Sequence, residues 1–235
     1  STTSGKVRLR ILLPGALYFS AIGAGFMLAE IALIQRLSVF LGHPTYALGI
    51  LLFGMILSTG LGSLLSELLP VRRIPWLLFA PLLAAATVYA LDPGLSYVIS
   101  ESIDAPQSTR IQLALMCIVP LGLILGTLFP TGMRLAGETA PETPWFWALN
   151  GIFGVLCSAV AVFVSLYWSI STNFALAAAC YAGLVVPLLW LRAAAGSDPA
   201  VFSGEESPDE DRVLTIPAQR PQPHSDPDAT QPARD

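Results

Sequence analysis

The chain has 235 residues, of which 54% are hydrophobic and only 12% charged, with a mean hydropathy of +0.66. A soluble domain carries about twice that share of charge, so the composition excludes an ordinary water-soluble globule and makes the bilayer the solvent. The net charge of −4 is unevenly placed: residues 1–195 hold nine Lys/Arg against seven Asp/Glu, and residues 196–235 hold three against nine. The body is thus +2 and the tail −6.

Lys6, Arg8 and Arg10 precede an apolar run that begins at Ile11 and continues through Ala29. The run outlasts the roughly 7–15 residue core of a signal peptide and no polar segment follows a cleavage point, so it reads as a true span behind a cytoplasmic segment, residues 1–10. Because the chain starts at Ser1 rather than Met, it is expected to be a processed or excised piece of something longer, or an incomplete record. The first span is placed at about 13–40, the second at 45–68 starting near Pro44, the third at 74–91 and the fourth at 111–132. Between Glu142 and Arg192 there is no Asp, Glu, Lys or Arg. About 20 residues cross the hydrocarbon, so this interval holds two more spans, 144–168 and 172–192, with the turn at Ser169 to Asn173.

The expected fold is therefore all-α: a polytopic bundle of six transmembrane helices over 11–195. If the N-terminus is cytoplasmic, Lys6, Arg8, Arg10, Arg72, Arg73, Arg134 and Arg192 lie inside and only Arg36 and Arg110 outside, which satisfies the positive-inside bias and puts both termini in the cytoplasm. The stretch Asp92 to Thr109 is then an outward loop, with a short interfacial helix over Leu95 to Ile103. Trp76, Trp145, Trp147 and Trp168 fall near span ends, where amphipathic rings sit at headgroup level. The tail 196–235 contains seven prolines and a single aromatic residue, Phe202, and is read as disordered. Its acidity excludes nucleic acid or anionic lipid as a charge-driven partner.

Small residues recur on helical spacing: Gly54, Ser58, Gly62 and Ser66 in the second span; Ala21, Gly25 and Ala29 in the first; Gly122 and Gly126 in the fourth; Gly151, Gly154, Ser158, Ala161 and Ser165 in the fifth. In lipid such faces let backbones approach, which predicts a compact bundle. Pro81, Pro120 and Pro187 fall inside spans, where each removes a backbone hydrogen bond and can kink its helix. Cys117, Cys157 and Cys180 lie in apolar runs without C-x-x-C spacing and read as small core residues. Gly23 to Ala29 matches a loose dinucleotide fingerprint, but inside an apolar span it lacks the strand that such a site requires. Gly60-Leu61-Gly62-Ser63 with Arg72-Arg73 is faintly like a major-facilitator loop without its acidic residue. Two histidines, one of them in the tail, cannot supply a triad or metal cluster, and neither cofactor nor self-contained enzyme is expected.

Three stretches carry a resemblance: Gly25 to Arg36 continuing over Phe40 to Leu48; Phe129-Pro130-Thr131-Gly132-Met133-Arg134; and Pro144 to Val155. Together they resemble the membrane region that follows the aminopropyltransferase-like domain in bacterial multi-pass spermidine-synthase-like proteins, some of them fused to major-facilitator-type segments. The resemblance covers roughly residues 10–192. It implies a module of the bacterial inner membrane attached to, or working with, a methyltransferase-fold domain in cis or trans. The 235 residues hold no such domain, so the module is expected to be non-catalytic by itself.

Glu30 is the polar residue of most interest, since an ionisable group inside a span is costly unless it pairs or faces a cavity. If the first helix enters near Pro14, Glu30 is about 24 Å along it, in the outer third of a layer roughly 30 Å thick. Gln35, Arg36 and His43 follow, and together with Glu30 they form the candidate polar or transport site; Glu30 and Arg36, six residues apart, do not share a helix face. One reading has Glu30 hydrogen-bonding to another helix while Arg36 snorkels outward. A second has Glu30 lining an outward-opening cavity as a cation or proton site, and a third has Arg36 binding a lipid headgroup. His43 is expected to cap the second helix. Asn150 and Arg134 form a secondary polar cluster near the cytoplasmic end, with Asn150 bonding between helices. The alternative function is a small-solute transporter or half-transporter, for instance of a cationic amine, which a homodimer would complete.

Overall fold

The computed structural model describes residues 2–68, 74–136 and 143–195, with side chains over 11–68, 77–136 and 143–194. The expected disorder of 196–235 and the side chains of Lys6, Arg8, Arg10, Arg72, Arg73 and Trp76 lie outside the described residues. Among these residues the elements are all helical: α1 (Thr2–Leu41), α2 (Pro44–Leu65) closed by a 3-10 turn (Ser66–Leu68), α3 (Ile74–Ser102), α4 (Gln107–Ala136), α5 (Thr143–Tyr167), α6 (Ile170–Gly183) and α7 (Val185–Ala195). Six stretches are long and apolar enough to cross a membrane: Ile11–Leu41, Pro44–Leu68, Leu77–Ser102, Gln107–Ala136, Thr143–Tyr167 and Ile170–Ala194. The molecule is a polytopic membrane bundle. An even number of crossings leaves both of its ends on one side.

The last span is two helices. Pro187 has no N–H to give the Gly183 carbonyl and its ring crowds that group, and the helix breaks at Leu184. Pro14, Pro81, Pro93, Pro120 and Pro130 stand inside helices that continue through them.

α1 is the central helix, packing on α5, α6, α2, α7 and α4. The α2–α4 pair is a close seam, and the small residues explain it. A Cβ on Gly62 would meet the Leu123 carbonyl oxygen at 2.2 Å and one on Gly126 the Thr59 carbonyl oxygen at 2.2 Å, so these backbones touch. Gly54 packs on Leu115 and Ile118, and Gly122 on Ser58. Gly25 of α1 lies against Cys180 and Tyr181 of α6. At the other end Phe19 stacks on Phe146 and meets Phe129 edge-on, while the Tyr18 hydroxyl donates to the Leu128 carbonyl at 2.8 Å. Apolar side chains also cover the outside, as lipid requires: Val39, Phe53, Ile56 and Val155 are more than two-thirds exposed. Exposed Trp145 and Trp147 begin α5 and exposed Trp168 follows it, about 32–35 Å apart at the helical rise, so the rings bracket the apolar layer. The three cysteines are free and half-buried.

α1 ends where Gly42 takes φ +75°, a left-handed conformation that favours glycine. Its last carbonyls are satisfied from the first turn of α4: Gln107 Nε2 donates to the Leu41 carbonyl at 3.1 Å and Arg110 Nη1 to the Phe40 carbonyl at 3.0 Å. Cationic and amide donors at a helix C-terminus also suit its dipole.

Two boundaries differ from the sequence-based expectation. α3 does not stop at Leu91: it runs through Asp92 and Pro93 to Ser102, so the segment expected as an outward loop with a separate interfacial helix is mostly the continuation of α3. Asp92 is tolerated there because Arg36 pairs with it, and fully buried Leu95 anchors the extension. The turn between the last two spans is also shorter. Ser169 is the N-cap of α6, accepting from the Thr172 amide at 3.2 Å, and Ser171, Thr172 and Asn173 already belong to the helix.

Candidate functional site

The polar groups of the interior are strung along α1. At its outer end Arg36 Nη2 donates to Asp92 Oδ1 of α3 at 2.6 Å and to Ser171 Oγ of α6 at 3.1 Å. Arg36 is thus held inside the bundle by a partner 56 residues away, which corrects the expectation that it snorkels or reaches for a headgroup. A cavity of about 480 Å³ opens beside the pair, lined by Tyr89, Asp92, Ser171 and Thr172. One residue earlier, Gln35 Oε1 accepts from Ser165 Oγ at 2.6 Å, and Asn173 Nδ2 donates to Ser165 Oγ at 2.7 Å and to the Ala161 carbonyl at 2.8 Å. This chain ties α1, α5 and α6 together. Asn173 Oδ1 is buried without a partner. Asn173 and Ser165 were not singled out as site residues from the sequence; a polar residue in an otherwise uncharged run was the available signal.

Glu30 lies one to two turns deeper, 7% exposed, and makes no hydrogen bond or ion pair with any described residue. The bond across the helix interface that would have explained it structurally is therefore missing. The span begins at Ile11 and ends at Leu41, so its midpoint is Phe26. Glu30 stands about 6 Å past that midpoint, nearer the centre than an entry at Pro14 implied.

His43 occupies the N-cap position of α2, but its side chain makes no cap bond; the exposed ring instead meets Tyr46 edge-on. Asn150 and Arg134 do not form a cluster. Arg134 Nη1 donates to the Ser66 carbonyl at 2.7 Å and its Nη2 to Ser66 Oγ at 3.2 Å, pinning the end of α4 to the end of α2. Asn150 sits on α5 against Gly23 of α1, close enough that a Cβ on Gly23 would meet the Asn150 carbonyl oxygen at 2.2 Å. Its side chain makes no interhelical bond, and Oδ1 is buried unpartnered. The close backbone contact that a small-residue interface provides is present without the side-chain bond.

Asn150 and Tyr181 both line a groove of about 620 Å³ between α2 and α4 on one side and α5 on the other, with α1 as its floor. Tyr181 is 1% exposed, and its hydroxyl oxygen is likewise unpartnered. Phe26, Met27, Phe129 and Gly154 complete much of the wall. No group of three or more His, Cys, Asp and Glu that would hold a metal occurs among the described residues. Against known proteins, the chain matches no family model, no curated protein and no solved structure.

Proposed function

We propose that this chain is the integral membrane module of a spermidine-synthase-like protein, non-catalytic by itself, which anchors or partners a cytoplasmic transferase-type domain. One observation carries the reading. The three stretches behind the family resemblance lie more than 70 residues apart in places, yet they meet in space: Phe129 of the second packs on Trp147 of the third with ring centroids at 4.5 Å, and Gly154 of the third faces Met27 of the first. A shared module would keep such a contiguous patch, whereas chance likenesses would scatter. The count of Lys and Arg in the connecting segments favours both ends of the bundle lying in the cytoplasm of a bacterial inner-membrane protein, where such a domain would sit. Isolated from its source cells through an affinity tag, the polypeptide is expected either to carry a methyltransferase-fold domain in the same chain or to bring one down in a stable complex. Recovery from membranes with neither refutes the reading.

A second reading has its own support. Buried Glu30, near the middle of the first span and without a hydrogen-bond or ion-pair partner among the described residues, is what a cation or proton site of a small-solute transporter would require. Proteoliposomes are then expected to take up labelled polyamine, with Glu30→Gln abolishing uptake. Equal uptake by the two proteins, or none by either, refutes it.

A further inference from the structure

Glu30 is the one charged side chain buried among the described residues, and helical spacing says where it points. It follows Phe26 by four residues and Met27 by three, so the three share a face of α1. Phe26 and Met27 line the groove between α2 and α5, which places Glu30 one turn beyond them, at the end of the groove nearer Leu41. Gln35 and Arg36, five and six residues on, bond to α5 and α3 from other sides of the helix. The Glu30 oxygens are unbonded, yet they are not sealed as Asn150 Oδ1 and the Tyr181 hydroxyl are: a little accessible surface remains on them.

Room and ligand count decide what such a carboxylate can hold. Hard metal cations take about six or more oxygen ligands. Glu30 offers a single carboxylate, the helix runs unbroken past it so that its neighbouring carbonyls are spent on backbone bonds, and no group of three or more His, Cys, Asp and Glu gathers among the described residues. An ammonium needs space for itself and acceptors for its N–H donors, and a side chain 7% exposed leaves neither. A proton needs one oxygen and no room. The helices packed on α1 also bring no free counter-charge to this level. Between Pro44 and Leu65 α2 has no charged residue, and neither α5 nor α6 has any; Arg110 and Arg134 serve the two ends of α4, Arg192 stands in the last turn of α7, and Asp92 of α3 is paired with Arg36. The other titratable groups those helices carry within their spans are Cys117, Cys157, Cys180 and Tyr181. A bare carboxylate inside a bilayer is costly, whereas a protonated one is neutral.

We propose that Glu30 is a proton site: its carboxyl rests protonated at the end of the groove and takes neither a metal cation nor an amine. The use of that proton rests on the transport reading, in which a substrate moved at the expense of Glu30 travels with a proton or in exchange for one. The protonated carboxyl itself requires neither a substrate nor an attached transferase domain.

The test uses the full chain in phosphatidylcholine nanodiscs, treated either with dicyclohexylcarbodiimide, an apolar reagent that enters through the bilayer, or with a water-soluble carbodiimide. A protonated carboxyl gives its proton to a carbodiimide nitrogen while its oxygen adds to the central carbon; the acyl group then migrates to nitrogen, leaving a stable N-acylurea that keeps every atom of both partners. Peptide mapping of the wild-type chain is expected to place this adduct on Glu30, about tenfold above the yield from the water-soluble reagent and about tenfold above that at exposed Glu67, Glu101 and Asp104. Saturating sodium chloride, calcium chloride or spermidine is expected to leave the yield unchanged. Because the adduct is located on the wild-type chain, the result does not hang on the folding of a variant. No adduct on Glu30, an equal yield from the water-soluble reagent, or protection by sodium, calcium or spermidine would each overturn the proposal. Glu30-dependent polyamine uptake by a chain that spermidine protects would remove the proton assignment and leave the transport reading standing; an unprotected adduct on Glu30 without uptake would do the reverse.

Discussion

Gly60 and Gly62 lie two residues apart in α2, and replacing each with alanine separates packing from propensity. Gly62 faces α4: an added Cβ would lie 2.2 Å from the Leu123 carbonyl oxygen, where a carbon–oxygen contact settles near about 3.3 Å, so the helices must part by about 1 Å. A gap of that size forfeits up to about half of the dispersion attraction of each atom pair across it, and in lipid that attraction is the main force holding α2 to α4. Overpacking of this kind costs about 1–3 kcal/mol. Gly60 faces the groove with nothing within 4 Å, so alanine there gains at most about 1 kcal/mol of helix propensity and loses nothing. Reversible unfolding in mixed micelles of increasing SDS fraction should show Gly62→Ala destabilised and Gly60→Ala equal to or slightly above wild type. Equal midpoints for the two variants would refute the close-backbone account of the α2–α4 seam.

Two other perturbations follow from the interior bonds. Arg36→Gln and Asp92→Asn should each destabilise the bundle in the same assay, and the double variant should lose less than the sum, giving a coupling of about 1–2 kcal/mol for a pair that is 26% and 24% exposed at 2.6 Å; additive losses would mean that the pair contributes nothing. Asn173→Ala removes donations to Ser165 Oγ and the Ala161 carbonyl, and should cost about 1–2 kcal/mol and raise amide exchange in the outer half of α5. Unchanged exchange there would show that α1 alone holds α5.

Much of the fold was legible because bilayer physics acts on short stretches of sequence. Uncharged runs gave six spans, and four-residue spacing of Gly54, Ser58 and Gly62 marked the face of α2 that meets α4. The end of α3 was misplaced because a long-range partner reverses a local cost. Asp92 followed by Pro93 reads as the end of a span, yet Arg36, 56 residues earlier, neutralises the charge, and the surrounding helices accommodate the proline. Glu30 stood out by its charge, whereas the absence of a partner is a property of the assembled bundle. The stripe on α5 looked like one interface; nothing local distinguishes Ala161, which is fully buried, from Gly154, which lies against Met27 and is partly open to the groove.

The most direct test of the account is the sidedness of the bundle, because a module that serves a cytoplasmic domain must present both of its ends to the cytoplasm. With Cys117, Cys157 and Cys180 replaced by serine, single cysteines at Asp104, between α3 and α4, and at Glu67, after α2, are probed in intact cells with a membrane-impermeant maleimide. The account predicts labelling at position 104 in intact cells and at position 67 only after permeabilisation. The opposite pattern, with 67 reached from outside and 104 protected, would contradict it.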